Sequence, residues 1–314
     1  MELHATGLNA WNQLDFSNPS NHGEHEEHEE HEDISTFTCI LSTGYAITCI
    51  RSFLSYIAVY TDPSLPPKLA GSVPHTHQYL LTTQPQIHRH IAEASNNLVV
   101  VHDGSGPTLQ QHTSLASFLL NQPFHTLSAF PDPVIQLLAY ETGFIALTSA
   151  GQVYTWGDER YSPCLGREVT GSFPASTPGL VADLLDLPTG PVTSIAAGGY
   201  TLAALTMGND LYLWGDSGRS AALSELKLSS RPEPAVIGNE EGKDVASVAV
   251  GNSHLVVLTT DGEVYAIGDN TNGQLGISGE ASARFWTRVS INLPDKRAIT
   301  AVEAGPKNSF LLVK

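Results

Sequence analysis

Cysteine is scarce in this chain: 314 residues hold three, Cys39, Cys49 and Cys164. No two of them form a C-x-x-C pair, so a disulfide framework is excluded as the source of stability. Charge is scarce too. Only 15% of the residues are Asp, Glu, Lys or Arg, against about a quarter in an average soluble protein. Basic side chains are the scarcer kind, with 15 Lys and Arg facing 32 Asp and Glu, for a net charge of −17. A protein that tracks a phosphate backbone needs a basic surface, so direct nucleic-acid binding is excluded as the main role. Docking on anionic lipid is excluded for the same reason. No apolar run approaches the roughly 18 residues that a membrane helix requires. Met1-Glu2-Leu3-His4 lacks the basic and apolar regions of a secretory signal. The expectation is an acidic, monomeric globular protein of the cytoplasm and/or nucleus.

What is abundant is turn chemistry and a repeat. Glycine occurs 27 times and proline 19, which points to many tight turns and few long helices. Three segments align without a gap: 137–157 (LLAYETGFIALTSAGQVYTWG), 195–215 (IAAGGYTLAALTMGNDLYLWG) and 248–268 (VAVGNSHLVVLTTDGEVYAIG). Each reads as a β-hairpin. Phe144–Thr148, Leu202–Thr206 and Leu255–Thr259 are short apolar runs of strand length. Ala150-Gly151, Gly208-Asn209 and Asp261-Gly262 supply the positive-φ residues of tight turns. The return runs, 153–156, 211–214 and 264–267, are rich in β-branched and aromatic residues, and each ends on a glycine, Gly157, Gly215 or Gly268.

Carried backwards, the frame fits 91–101 (IAEASNNLVVV) as a first strand, with a closing position near Gln111. It fits 44–60 (GYAITCIRSFLSYIAVY) next, with Tyr60 at the closing position, so both units read as having lost the glycine and the Trp. Leu3-His4-Ala5-Thr6-Gly7 is a return strand with no first strand before it, and 302–313 (VEAGPKNSFLLV) is a first strand with no return strand after it. A chain built so is expected to close on itself, the two terminal strands meeting in one shared blade. Closure of that kind is how a β-propeller removes free sheet edges. The fold class expected is all-β, a propeller of six blades by this count.

After the closing glycine comes a signature. Gly268-x-Asn270-x-x-x-Gln274-Leu275 and Gly7-x-Asn9-x-x-x-Gln13-Leu14 share one pattern. With the hairpin above, it resembles the regulator of chromosome condensation repeat family, over 134–314 and 1–14. WD-repeat propellers have a shorter period and end on Trp-Asp, whereas here the dipeptides are Trp156-Gly157 and Trp214-Gly215. Family members usually have seven blades, which leaves a seventh to be sought in residues 60–134. Within the family the chain is similar to two kinds of small single-propeller member. One is the fungal alpha-tubulin suppressor type, which assists tRNA-modifying and diphthamide-forming machinery. The other partners chromatin-associated oxygenases.

Several residues have chemical potential beside a plain structural role. His22, His25, His28 and His31 recur every third residue among carboxylates and offer metal donors. Their surroundings between Gly23 and Asp33 hold no apolar residue, so composition favours a solvated, disordered insertion over 16–36. A second group, His75, His77, His88, His90, His102, His112 and His125, falls in the poorest repeats. Asp158, Asp216 and Asp269 each follow a closing glycine, where Asp readily caps its own turn. With Glu159 and Asn270 they are the candidate partner-binding residues. Trp156 and Trp214 read as core wedges. No G-x-S-x-G elbow, P-loop or dinucleotide fingerprint is present.

The functional expectation is a non-catalytic protein–protein interaction scaffold without a cofactor, whose partner presents a basic surface. The family resemblance supplies one alternative, guanine-nucleotide exchange on a small GTPase. The histidine cluster supplies another, a metal-dependent enzyme.

Overall fold

A computed structural model gives the architecture for residues 1–17, 31–62, 64–95, 98–101, 108–238, 242–294 and 297–314. His22, His25, His28 and His102 lie outside the described residues. Among the described residues, twenty-three strands form six antiparallel sheets, the blades of a β-propeller. The chain divides into two compact units, residues 1–85, 220–225 and 246–314 in one and 86–219 with 226–245 in the other.

The first unit opens with β1 (Glu2–Gly7) and β2 (Ile34–Ser42), followed by β3 (Cys49–Ser52), β4 (Tyr56–Tyr60) and β5 (Lys68–Gly71). The second contains three sheets. They are β6 (Ile91–Glu93), β7 (Val99–Val101), β8 (Leu109–His112) and β9 (His125–Leu127); then β10 (Val134–Tyr140), β11 (Gly143–Thr148), β12 (Val153–Gly157) and β13 (Gly179–Leu180); then β14 (Val192–Gly198), β15 (Thr201–Thr206), β16 (Leu211–Gly215) and β17 (Glu233–Pro234). The first unit ends with β18 (Val245–Val250), β19 (His254–Thr259), β20 (Val264–Asp269) and β21 (Ser282–Arg288), then β22 (Ile299–Ala304) and β23 (Asn308–Val313).

The expected shared blade is present. Its order is β2-β1-β23-β22, with Leu3 opposite Leu312, Ala5 opposite Phe310 and Gly7 opposite Asn308. The three hairpins read from sequence are β11–β12, β15–β16 and β19–β20, in matching register: Gly143 faces Gly157, Thr201 faces Gly215 and His254 faces Gly268. Each middle strand is buried along its whole length, because both faces of its sheet are covered. That is why these segments read as continuous apolar runs rather than alternating ones. In the second unit Trp156 packs with Phe144, Phe130, Ala92 and Val100, and Trp214 with Ile145, Leu147, Leu184 and Leu202. Both tryptophans are core wedges, and each indole N–H finds a partner, Gln111 Oε1 at 2.9 Å and the Cys164 carbonyl at 3.2 Å.

Two readings need correction, Tyr60 as a closing position and the extent of the insertion. Tyr60 does not close a unit: Tyr56–Tyr60 is the middle strand of its sheet, and Gly71 closes it, opposite Tyr56 at φ +91°. In the next blade the closing register falls on His112, opposite Val99, one residue beyond Gln111. Residues 60–134 contain no seventh sheet among the described residues. They contain helices, α1 (His75–Thr83), α2 (Pro85–Arg89) and α3 (Leu115–Leu119), and His75, His77 and His88 are helical. Finally, Ile34–Thr36 of the span read as insertion belong to β2, where Ile34 pairs with Gly7 of β1.

Candidate functional site

The loops that follow the closing residues share one backbone device. The amide of the next residue donates back to the turn before the middle strand. Asp158 N donates to Thr142 O at 3.0 Å, Asp216 N to Tyr200 O at 2.9 Å and Asp269 N to Ser253 O at 2.9 Å. Leu8 N donates likewise to Lys307 O at 3.0 Å and Ser72 N to Ser55 O at 2.8 Å. The bond requires the chain to turn away from its strand immediately after the glycine, so every such loop leaves its blade at the same end. Three of these loops begin with a carboxylate.

Each carboxylate is held by its own surroundings. Asp158 Oδ1 accepts from Arg160 N at 3.0 Å, and the Arg160 guanidinium pairs with the same carboxylate at 2.5 Å, holding the carboxyl below its usual range. Asp216 Oδ1 accepts from Gly218 N at 2.7 Å. Asp269 Oδ1 accepts from the Ser220 hydroxyl at 2.8 Å. Turn-capping and surface presentation therefore coexist: Glu159 and Asp216 are exposed, Asp158 and Asp269 half-buried. Asn270 is different. It is buried, its amide donates to Ile277 O and Glu280 O, both at 2.6 Å, and its Oδ1 accepts from Leu275 N at 2.9 Å. Its side chain is consumed as an internal brace and is not offered to a partner.

The same geometry explains the Gly-x-Asn-x-x-x-Gln-Leu signature. Asn9 Oδ1 accepts from Leu14 N at 2.9 Å, while Gln13 and Gln274 accept from Trp11 N and Asn272 N at 3.0 and 2.9 Å. Asp33, read as part of the solvated run, joins this scaffold by accepting from Asn9 N and from the Asn272 amide, each at 2.8 Å. After β12 an arginine takes over the bracing. Arg167 donates to five backbone carbonyls, those of Thr155, Glu168, Phe173, Pro174 and Thr177, at 3.0–3.3 Å. A single arginine without a repeated counterpart gives no sequence signal for that role.

The histidines do not assemble a hydrolytic centre among the described residues. His77 Nδ1 is bonded to the Tyr56 hydroxyl at 2.6 Å, and His112 is buried against Phe118 and Phe124. No three histidines of that group bring ligand atoms together among the described residues. His31 is half-buried. His254 and Ser309 lie 3.0 Å apart but cannot act as base and nucleophile. Both are fully buried, and Ser309 spends its proton on Gln274 O at 2.6 Å. Burial pushes the imidazole of His254 down to about 4, so it stays neutral and structural.

A repeat propeller presenting braced loops from one end of its blades is the class that fold and site define. The Regulator of chromosome condensation (RCC1) repeat matches residues 245–274 and 261–312, so this stretch of the propeller carries that repeat. The chain is 34% identical to the human Regulator of chromosome condensation over 156 residues, 48% of this chain and 34% of that protein. Over 168 residues, 53% of this chain, it is 33% identical to the human E3 ubiquitin-protein ligase HERC2, but the match spans 3% of HERC2. The chain thus covers a minor part of these relatives' lengths. Among solved structures, human WBSCR16 superposes with a TM-score of 0.60 at 15% identity, covering 100% of this chain and 98% of that one. Prp20p from Saccharomyces cerevisiae gives 0.54 at 13%, covering 99% and 90%. At such identities the likeness establishes the fold. No helix among the described residues is long and apolar enough to cross a membrane.

Proposed function

We propose that the chain is a non-catalytic interaction scaffold, monomeric and acting in the cytoplasm and/or nucleus. In this reading it docks a protein partner with a basic surface through Asp158, Glu159, Asp216 and Asp269. The observation that carries the reading is the repeated start of braced loops with a carboxylate, in a chain of net charge −17. Holding carboxylates on a fixed backbone lowers the ordering cost of docking. The buried state of the His254–Ser309 pair supports the non-catalytic part. Prp20p has binding properties to Gsp1p and histones, and histones are a suitable basic probe for this chain. Binding of core histones to the full chain, measured from about 50 to 300 mM salt, is expected to weaken steeply, because exposed charges are screened beyond about 8–10 Å. Affinity indifferent to salt would overturn the charge-based reading.

The second reading is guanine-nucleotide exchange, favoured by the 34% identity to the human Regulator of chromosome condensation. Release of a fluorescent guanine nucleotide from a small GTPase separates the two. A scaffold leaves the release rate unchanged, and an acceleration would transfer the assignment to exchange.

A further inference from the structure

Strands β1 and β2 bring together three side chains of different donor chemistry, away from the loops described above. Glu2 and His4 are two residues apart on β1 and so share a face. Cys39 lies on β2 directly opposite His4. That juxtaposition depends on a bulge. The register passes from Leu3–Leu41 to His4–Cys39, leaving Ile40 as an extra residue on β2. Bulges re-aim side chains and cluster next to functional positions. One ligand atom from each residue lies within 4.8 Å of the other two, and His4 Nε2 stands 3.1 Å from Glu2 Oε2. His4 is buried at 7% exposure, while Cys39 is exposed enough to admit an ion from solvent.

We propose that Glu2, His4 and Cys39 form a binding site for a zinc-class divalent cation, with the fourth position left to solvent. Imidazole, carboxylate and thiolate together are a donor set suited to zinc, which takes ligands at about 2.0–2.3 Å in a tetrahedron. Ligand atoms on such a tetrahedron stand roughly 3.3–3.7 Å apart, so closure from the present spacing needs side-chain rotation and no movement of the strands. The ion pair from Arg297 and the hydrogen bond from His4 both fall on Glu2 Oε2. Metal binding replaces the His4–Glu2 hydrogen bond, the ring proton being carried on the other imidazole nitrogen, and Arg297 becomes the outer partner that orients the carboxylate. Binding converts the Cys39 thiol to a metal thiolate and releases one proton to solvent. The other two thiols, Cys49 and Cys164, lie outside this cluster.

Cobalt(II) is the probe, because thiolate coordination gives a charge-transfer band in the near ultraviolet and tetrahedral geometry gives intense visible bands. Titration of the full chain is expected to show both, with zinc displacing the cobalt. The bands are expected to persist when His22, His25, His28 and His31 are all replaced by Ser, which separates this site from the histidine run. Cys39→Ser, an isosteric change on an exposed residue, is expected to abolish the charge-transfer band. Glu2→Gln is expected to weaken binding at least tenfold. Absence of the band in the native chain, its survival in Cys39→Ser, or its loss with the histidine run would each overturn the site.

Discussion

Removing Ser309–Lys314 is expected to leave the protein insoluble. These residues form most of β23, the strand that joins β1 to β22 in the shared blade. Phe310, Leu311 and Val313 are fully buried and Leu312 nearly so. Each contributes roughly 1.5–3 kcal/mol by leaving water, and their sum is comparable to a whole domain's stability of about 5–15 kcal/mol. The truncation also unpairs β1, whose residues Leu3 to Thr6 face Leu312 to Ser309, and an unpaired apolar edge is a template for aggregation. Chain ends usually tolerate trimming, which makes the outcome discriminating. Soluble yield and thermal unfolding of residues 1–308 beside the full chain are the measurements. A soluble product melting at the parental temperature would mean that the terminal strands do not close the fold.

Gly215→Ala is expected to be almost as damaging for one added methyl group. Gly215 closes its hairpin at φ +111°, and a Cβ there would collide with the Tyr200 carbonyl oxygen. That oxygen already accepts from Asp216 N at 2.9 Å, so it cannot retreat without breaking the bond that launches the loop. Positive φ alone costs about 1–3 kcal/mol for a residue with a side chain, and the collision adds to it. Gly262, in the turn of the neighbouring repeat, has φ +85° and open space around the same position, so Gly262→Ala isolates the conformational part. Denaturant unfolding should place Gly215→Ala at a loss of about 3 kcal/mol or more and Gly262→Ala near 1 kcal/mol. Equal losses would mean that close approach plays no part at the closing position.

The best repeats were legible because their physics is local. A buried run, a positive-φ turn and a closing glycine are all read from some twenty consecutive residues. The signature around Asn9 and Asn270 was equally visible, though its meaning was not: the asparagine is a brace for the leucine amide five residues on. The register of the second blade was lost because 56–60 is buried throughout and fits a middle strand and a return strand equally well. The true return strand, Lys68–Gly71, is four residues long and begins with an exposed lysine. Helices α1 and α2 went unread since proline and histidine carry little helical signal, although Pro85 sits at a first helical position where proline is tolerated. The role of Arg167 has no repeated counterpart in the other loops, and the meeting of His4 with Cys39 depends on a bulge, so neither leaves a motif.

The carboxylate loops offer the most direct measurement of what the scaffold does. A full chain carrying Asp158→Asn, Glu159→Gln, Asp216→Asn and Asp269→Asn keeps the oxygens that accept from Arg160 N, Gly218 N and Ser220 Oγ, so its melting temperature should stay close to that of the parent. Exposed charge pairs contribute about 0.2–1 kcal/mol each, so affinity for core histones at low salt should fall about tenfold, with a shallower dependence on ionic strength. Unchanged affinity and salt dependence in a variant that melts with the parent would contradict docking through these loops.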